Sequence, residues 1–193
     1  MKKPDILLAL EPVVEAFENL GIDYYIGGSV ASSVYGIARA TLDVDLVANI
    51  EHSQVHSLFE SLKSTYYIDE NTIQDAIRRK SSFNLIHLET MLKIDVFVLQ
   101  STSYDKQAFQ RRRKDTLDEE EKKEFYLVSP EDIILNKLEW FRMGGKVSER
   151  QWRDILGVLR VQSDLLDMEY LQYWAEKLVL TELLNEAIHD AEM

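Results

Sequence analysis

The segment LDVDLVANI, residues 42–50, constrains this chain more than any other stretch. Side chains alternate across a strand, so Leu42, Val44 and Leu46 point one way while Asp43 and Asp45 point the other. Such a strand belongs in a sheet with one buried face and one face that tolerates charge. Two carboxylates so close repel each other unless a cation or partner lies between them, and hard oxygen ligands of this kind suit Mg²⁺. Residues 92–99, LKIDVFVL, repeat the pattern: Leu92, Ile94, Val96 and Val98 form the apolar face, and Asp95 lies with Lys93 and Phe97 on the other. Three carboxylates on neighbouring strands make a two-metal clamp for phosphoryl or nucleotidyl transfer.

An isolated Asp-x-Asp is common and usually marks a solvated sheet face. The glycines upstream shift that balance. Gly27-Gly28-Ser29 falls between a short strand at 23–26 and a short helix at 29–35 closed by Gly36. Exposed backbone N–H groups at such a turn, and a helix N-terminus after it, hold phosphate.

Elsewhere, Pro4 and Gly21 bracket a helix over residues 5–20. HSQVHSLFESLKS is helical with Val55, Leu58, Phe59 and Leu62 on one face, and a further helix covers 71–80. Only Glu89, Thr90 and Met91 separate SFNLIHL from LKIDVFVL, which predicts an antiparallel hairpin. Residues 104–116 read as a charged helix or extended loop, and DEEEKKE as a solvated charge run. From Ser129 the chain is helical: Ser129, Pro130 and Asp132 open one helix, Gly144-Gly145 ends it, and Ser148 with Gln151 opens the next.

The 193 residues suit one compact domain or a core with an appended lobe, and 46% hydrophobic residues supply a core. There is no cysteine, which excludes disulfides, thiolate metal sites and a cysteine nucleophile. Asp5, Glu11, Glu15 and Glu18 interrupt the apolar N-terminal stretch, so it reads as an amphipathic helix and not a signal peptide. No apolar run approaches the ~20 residues that cross a bilayer; the expectation is a cytoplasmic protein without a membrane partner. A net charge of −12 argues against tight non-specific binding to nucleic acid, while leaving room for a nucleotide held by metal ions and a local basic patch.

The run IGGSVASSVYGIARATLDVDLV resembles the signature of the polymerase-beta-like nucleotidyltransferase superfamily, in which Gly-Gly/Ser precedes Asp-hydrophobic-Asp/Glu by about ten to fourteen residues. Here thirteen residues separate Ser29 from Asp43. The superfamily's third carboxylate matches Asp95 in KIDVF. The chain looks most similar to the minimal bacterial members, including the AbiEii-like toxins of type IV toxin–antitoxin pairs, over about residues 20–160. That resemblance implies that Gly27, Gly28 and Ser29 hold the triphosphate. It implies too that Asp43 and Asp45 coordinate two Mg²⁺ ions (or Mn²⁺), and that Asp95 completes the second site and activates the acceptor hydroxyl.

Lys137 sits on an apolar stripe with Ile133, Ile134, Trp140 and Phe141, where its ammonium must find a partner or reach water. It resembles a family lysine that meets nucleotide phosphates; a snorkelling lysine is the alternative. Asp154 resembles an aspartate that follows it, and either pairs with Lys137, touches base or ribose, or is a surface residue. Arg39 matches an often basic position that contacts phosphate, against the simpler reading of an exposed loop arginine. Arg111-Arg112-Arg113-Lys114 is read as a solvated helix balanced by the acidic run at 118–121, with an RNA acceptor as the alternative. His52 and His56 have helical spacing for zinc but no third ligand in a motif. Ser29, Ser32 and Ser33 lack a histidine in a motif with them, which speaks against a serine nucleophile.

The expectation is an α/β core of the nucleotidyltransferase type over residues 1–124, with a mixed sheet flanked by helices. A helical region over 125–193 would close over the nucleotide. The predicted chemistry is transfer of a nucleoside monophosphate from an NTP to a hydroxyl of tRNA, a protein or a small molecule. One version is a toxin with an antitoxin partner, another an antibiotic-modifying enzyme. The competing class is a non-catalytic nucleotide-binding or interaction protein that keeps the fold.

Overall fold

The computed structural model describes residues 4–117 and 123–192, so the acidic run at 118–121 falls outside the described residues. Helix α1 (Asp5–Asn19) buries Leu7, Leu10, Val13, Val14 and Phe17. Strand β1 (Tyr24–Ile26) leads through Gly27 into α2 (Gly28–Tyr35), and β2 (Asp43–Ala48) follows. A 3₁₀ turn (His52–Gln54) opens α3 (Val55–Leu62); then come β3 (Tyr66–Tyr67), α4 (Glu70–Arg79), β4 (Ser82–His87) and β5 (Lys93–Val98). Helix α5 (Ser103–Gln110) precedes β6 (Arg113–Thr116) and β7 (Glu124–Leu127). The chain then turns helical: α6 (Pro130–Met143), α7 (Glu149–Val161), α8 (Met168–Lys177) and α9 (Thr181–Glu192).

The strands form one mixed sheet in the order β3-β4-β5-β2-β1-β7-β6. Strands β2 and β5 pair in parallel, as do β1 and β7, and the other neighbours are antiparallel. This is the mixed α/β architecture expected. The predicted hairpin is β4–β5. The alternation in β2 and β5 is realised in full: Val44, Leu46, Ala48, Ile94, Val96 and Val98 are buried, while Asp43, Asp45 and Asp95 are half-exposed on the opposite face.

Three strands were not visible in the residue pattern. Strand β3 has two residues, too few for a period. Strand β6 is the polar sequence RKDT at the sheet edge, where charge blocks pairing with another chain. Strand β7 carries the sheet on to Leu127, past the division expected at 124. The tetrad Arg111–Lys114 is not a solvated helix. Arg111 ends α5 and pairs with Glu131 at 3.0 Å, Asp132 at 3.8 Å and Asp167 at 3.9 Å. Arg112 holds Asp23 at 2.9 Å, and Arg113 and Lys114 lie in β6. The buried carboxylates of α6, Glu131 and Asp132, draw Arg111 inward.

Polarity of the strands decides where chemistry can sit. Strands β1 and β7 end where β2 and β5 begin, so Gly27-Gly28, Asp43, Lys93 and Ser129 gather at one end of the sheet. Ser129 caps α6 by accepting from the Asp132 N–H, as its sequence predicts, a contact worth ~1 kcal/mol. Helix α7 packs on α2 at close range: a Cβ on Gly36 would stand 2.8 Å from the Gly157 carbonyl carbon. That approach brings Asp154 to the α2 end of the sheet.

Candidate active site

The parallel register places Asp45 directly across from Asp95 and Asp43 across from Lys93, with strands about 4.8 Å apart. Lys93 Nζ lies 2.6 Å from Asp95 Oδ2. The Thr41 hydroxyl donates to Asp43 Oδ1 at 2.7 Å. Asp45 carries the tension of this arrangement. Burial, followed by the charges of Asp43 and Asp95, raises its carboxyl above the ordinary 3.8, while Lys137 and Lys93 act in the opposite direction.

The glycine turn and Asp45 are built as one unit. The Gly27 N–H donates to the Asp45 carbonyl oxygen at 2.8 Å. Gly28 adopts φ +55°, and a Cβ there would fall 1.7 Å from Asp45 Oδ2. The carboxylate thus occupies the space a side chain would take, which only glycine leaves open.

The helical region supplies Lys137, and the loop between α2 and β2 supplies Arg39. Lys137 is buried, and its ammonium donates to Asp154 Oδ2 at 2.8 Å. Arg39 clasps the same carboxylate through Nε at 2.8 Å and a terminal nitrogen at 2.9 Å, and reaches the Ser29 hydroxyl at 2.5 Å. Burial pushes the Asp154 carboxyl up, yet the bonds from Arg39 and Lys137 outweigh it and hold it below the usual range. Of the readings for Asp154, the pairing with Lys137 is realised. Arg39 is not an exposed loop arginine, since its side chain is 24% exposed and anchored at both ends.

Six of the residues singled out by sequence, Gly28, Ser29, Arg39, Asp45, Lys137 and Asp154, are linked by direct contact or by the field at Asp45. Asp43 and Asp95 flank Asp45, and Gly27 bonds to its backbone. Lys93 and Thr41 were missed as site residues, although each stands two residues from a key aspartate, the spacing that shares a strand face. His52 stays apart, and His56 instead meets Glu70 at 3.4 Å. The Ser32 hydroxyl donates to the Ser29 carbonyl and is buried in α2.

Among the described residues no three His, Cys, Asp or Glu side chains stand close enough together to enclose a metal ion as they lie. The donor chemistry nevertheless fits a hard divalent cation: three aspartates converge from adjacent strands, and their mutual repulsion is visible at Asp45.

No family model matches the chain, and no curated protein matches it by sequence. Solved structures do. The solution structure of the antibiotic-resistance factor ANT(2'')-Ia superposes with a TM-score of 0.56 at 14% identity, covering 97% of this chain and 95% of that one. An antigenic nucleotidyltransferase-like protein from Paracoccidioides brasiliensis superposes with a TM-score of 0.53 at 19% identity, covering 93% and 90%. The fold is that of the nucleotidyltransferases. In this nucleotidyltransferase fold the glycine turn and the strands bearing Asp43, Asp45 and Asp95 share one end of the sheet. No helix of the described residues is long and apolar enough to cross a membrane.

Proposed function

We propose that the chain is a Mg²⁺-dependent nucleotidyltransferase that moves a nucleoside monophosphate from an NTP to an acceptor hydroxyl. The observation that carries this reading is the interlock of Gly28 with Asp45, set between Asp43, Asp95 and the cations Lys137 and Arg39. The similarity in fold to an antibiotic-resistance factor and a nucleotidyltransferase-like protein supports it.

In this reading the turn at Gly27, Gly28 and Ser29 takes the triphosphate, and Lys137 and Arg39 meet its oxygens. Asp43 and Asp45 would hold two Mg²⁺ ions, or Mn²⁺, and Asp95 would complete the second site; when bound, the ions offset charge on the phosphates and polarise the α-phosphorus. The acceptor oxygen attacks that phosphorus, the bond to the β-phosphate oxygen breaks, and pyrophosphate leaves with the electron pair. Asp95 accepts the acceptor's proton once Lys93 releases its carboxylate. Asp154 keeps Lys137 and Arg39 aimed. The α/β part supplies Asp43, Asp45 and Asp95, and the helices from Pro130 onward supply Lys137 and Asp154, so the two would build the site together.

Acceptors compatible with this chemistry are tRNA, a protein side chain or a small molecule in the cytoplasm. An AbiEii-like toxin with a cognate antitoxin is one setting for it. One observation favours the second reading, a non-catalytic nucleotide-binding protein: Lys93 already holds Asp95. Calorimetric titration of each NTP, with Mg²⁺ and with EDTA, into wild type and Asp45→Asn tests the proposal. Metal-dependent binding lost in the variant supports it; absence of any NTP binding by folded wild type refutes it. Release of pyrophosphate with an acceptor extract then separates the enzyme from the binding protein.

A further inference from the structure

Two hollows adjoin at the C-terminal end of α6, away from its Ser129 cap, and share Lys146 in the turn between α6 and α7. One, of about 320 Å³, lies against Val179, Glu182 and Leu183; the other, of about 220 Å³, lies against Phe141, Trp152 and Glu186. The Phe141 and Trp152 rings, with centroids 5.0 Å apart, give the second hollow an apolar wall. Val147 and Val179 at the rims are each 79% exposed. Val179 follows α8 with φ +58°, a left-handed conformation that strains a β-branched residue and that glycine usually takes. The turn is pinned: the Leu180 N–H donates to the Ala175 carbonyl at 2.7 Å, and Arg142 donates to the carbonyls of Leu178 and Val179 at 2.8 and 3.0 Å. The charge around it is one-sided. Glu176, Glu182 and Glu186 have no side-chain partner among the described residues, and Glu182 and Glu186 stand one turn apart on α9, where like charges repel. Among the described lining residues, the unpaired cation set against them is Lys146. These glutamates do not stand close enough together to enclose a metal ion.

We propose that the two hollows form a docking groove for a basic amphipathic helix of a partner protein. Apolar side chains at helical spacing enter the hollows and cover Val147 and Val179, while Lys or Arg on the flanking face meets Glu176, Glu182 and Glu186. This inference is independent of the nucleotide site. The strained valine argues for a contact and against a merely structural turn. Glycine at 179 would make the same backbone hydrogen bonds without the steric cost, and an exposed valine returns little packing to its own fold. Exposed apolar side chains beside unneutralised charge are the makings of an interface with a polar rim. The sign of that charge selects the occupant. A second copy of this chain carries net charge −12 and is repelled, and the carboxylates repel nucleic-acid phosphates equally. A helix bearing Lys and Arg spreads its cations along the row on α9, which a single ion cannot do.

The test offers immobilised wild-type protein a phage-displayed library of random peptides of about 14 residues, or four helical turns. Selection is expected to return peptides with net positive charge and apolar residues three and four apart. The consensus peptide, once synthesised, should bind about tenfold or more tighter than a scrambled peptide of the same composition, and more weakly as salt rises from about 0.05 to 0.5 M. Val179→Gly should raise the melting temperature, because the strain is relieved, and yet weaken peptide binding about tenfold. Glu182→Lys and Glu186→Lys, both at exposed positions, should weaken it by a similar factor while melting curves show the fold kept. No enriched peptide, selected peptides without net positive charge, a scrambled peptide that binds equally, or unchanged binding in Val179→Gly would each overturn the groove. A lower melting temperature in Val179→Gly would show that the side chain serves the fold, and would overturn it too. Sedimentation of wild type should show a monomer; a dimer that Val179→Gly dissolves would assign the surface to a second copy and overturn the basic partner.

Discussion

Gly28→Ala is the substitution for which the structure gives the most definite expectation. An alanine there meets two penalties. Its backbone must hold φ +55°, which costs an L-residue about 1–2 kcal/mol. Its Cβ must also share space with Asp45: 1.7 Å from Oδ2, 2.6 Å from Cγ and 2.8 Å from Cβ. Rotating the carboxylate away relieves the first two contacts but not the third, because the Asp45 Cβ is fixed to β2. The strand or α2 must move, at about 1–3 kcal/mol. Gly21 provides the control, since it has φ +65° and a methyl added there would meet nothing within 4 Å. Gly21→Ala therefore carries the backbone penalty alone. In urea denaturation Gly28→Ala should lose about 2–5 kcal/mol and Gly21→Ala about 1–2 kcal/mol. At this chain length each kcal/mol moves the melting temperature by about 2–4 °C. Calorimetry should show Mg·NTP binding abolished in Gly28→Ala and retained in Gly21→Ala. Equal stabilities for the two variants, with NTP bound by both, would refute the interlock and the site built on it.

Two further substitutions test the electrostatics. Asp45→Asn should raise the melting temperature in metal-free buffer while abolishing metal-dependent NTP binding. The Asp45 carboxyl is raised in the folded chain, so ionising it costs stability as pH climbs past its ordinary 3.8, and the gain from Asn should vanish in acid. A variant less stable than wild type at neutral pH would contradict this. Lys137→Met leaves buried Asp154 with one cation in place of two and should cost about 3 kcal/mol at pH 7, read by urea denaturation. The Asp154 carboxyl is depressed in the folded chain, so its contribution is present above the ordinary 3.8 and fades as pH falls further. The gap between wild type and Lys137→Met should narrow there.

The strands that build the site were legible because burial on one face forces a period of two. Asp43 and Asp45 announced their face through Val44 and Leu46, and Asp95 through Ile94 and Val96. Helices α6 and α7 declared their starts through Ser129 and Ser148. What escaped was set by distant partners. The pairing of Arg39 with Asp154 joins residues 115 positions apart, and Gly36 meeting Gly157 sets the approach that permits it. Nothing local distinguishes Arg39 from a loop arginine. Likewise Arg111 looked solvated because its partners Glu131, Asp132 and Asp167 lie beyond the next strands. Sequence patterns report what a residue's own element demands, and these roles belong to contacts between elements.

If the proposed function holds, the charge arrangement accounts for a triphosphate binding to a chain of net charge −12. Four carboxylates (Asp43, Asp45, Asp95 and Asp154) face three cations, Arg39, Lys93 and Lys137. Asp154 is bonded to two of the cations and Asp95 to the third. The arrangement is thus nearly neutral within itself, with its excess negative charge felt at Asp45. A triphosphate carries roughly four negative charges, which two divalent ions cancel. Binding both together leaves the local balance unchanged, whereas either alone upsets it. Ions alone would have to displace Lys93 from Asp95, and a bare triphosphate would meet Asp43 and Asp45. In the proposed function the site would therefore take the metal-loaded nucleotide as one ligand. Binding should show strong mutual dependence of ion and NTP, and its recognition should depend on these local pairs and not on the overall charge of the protein.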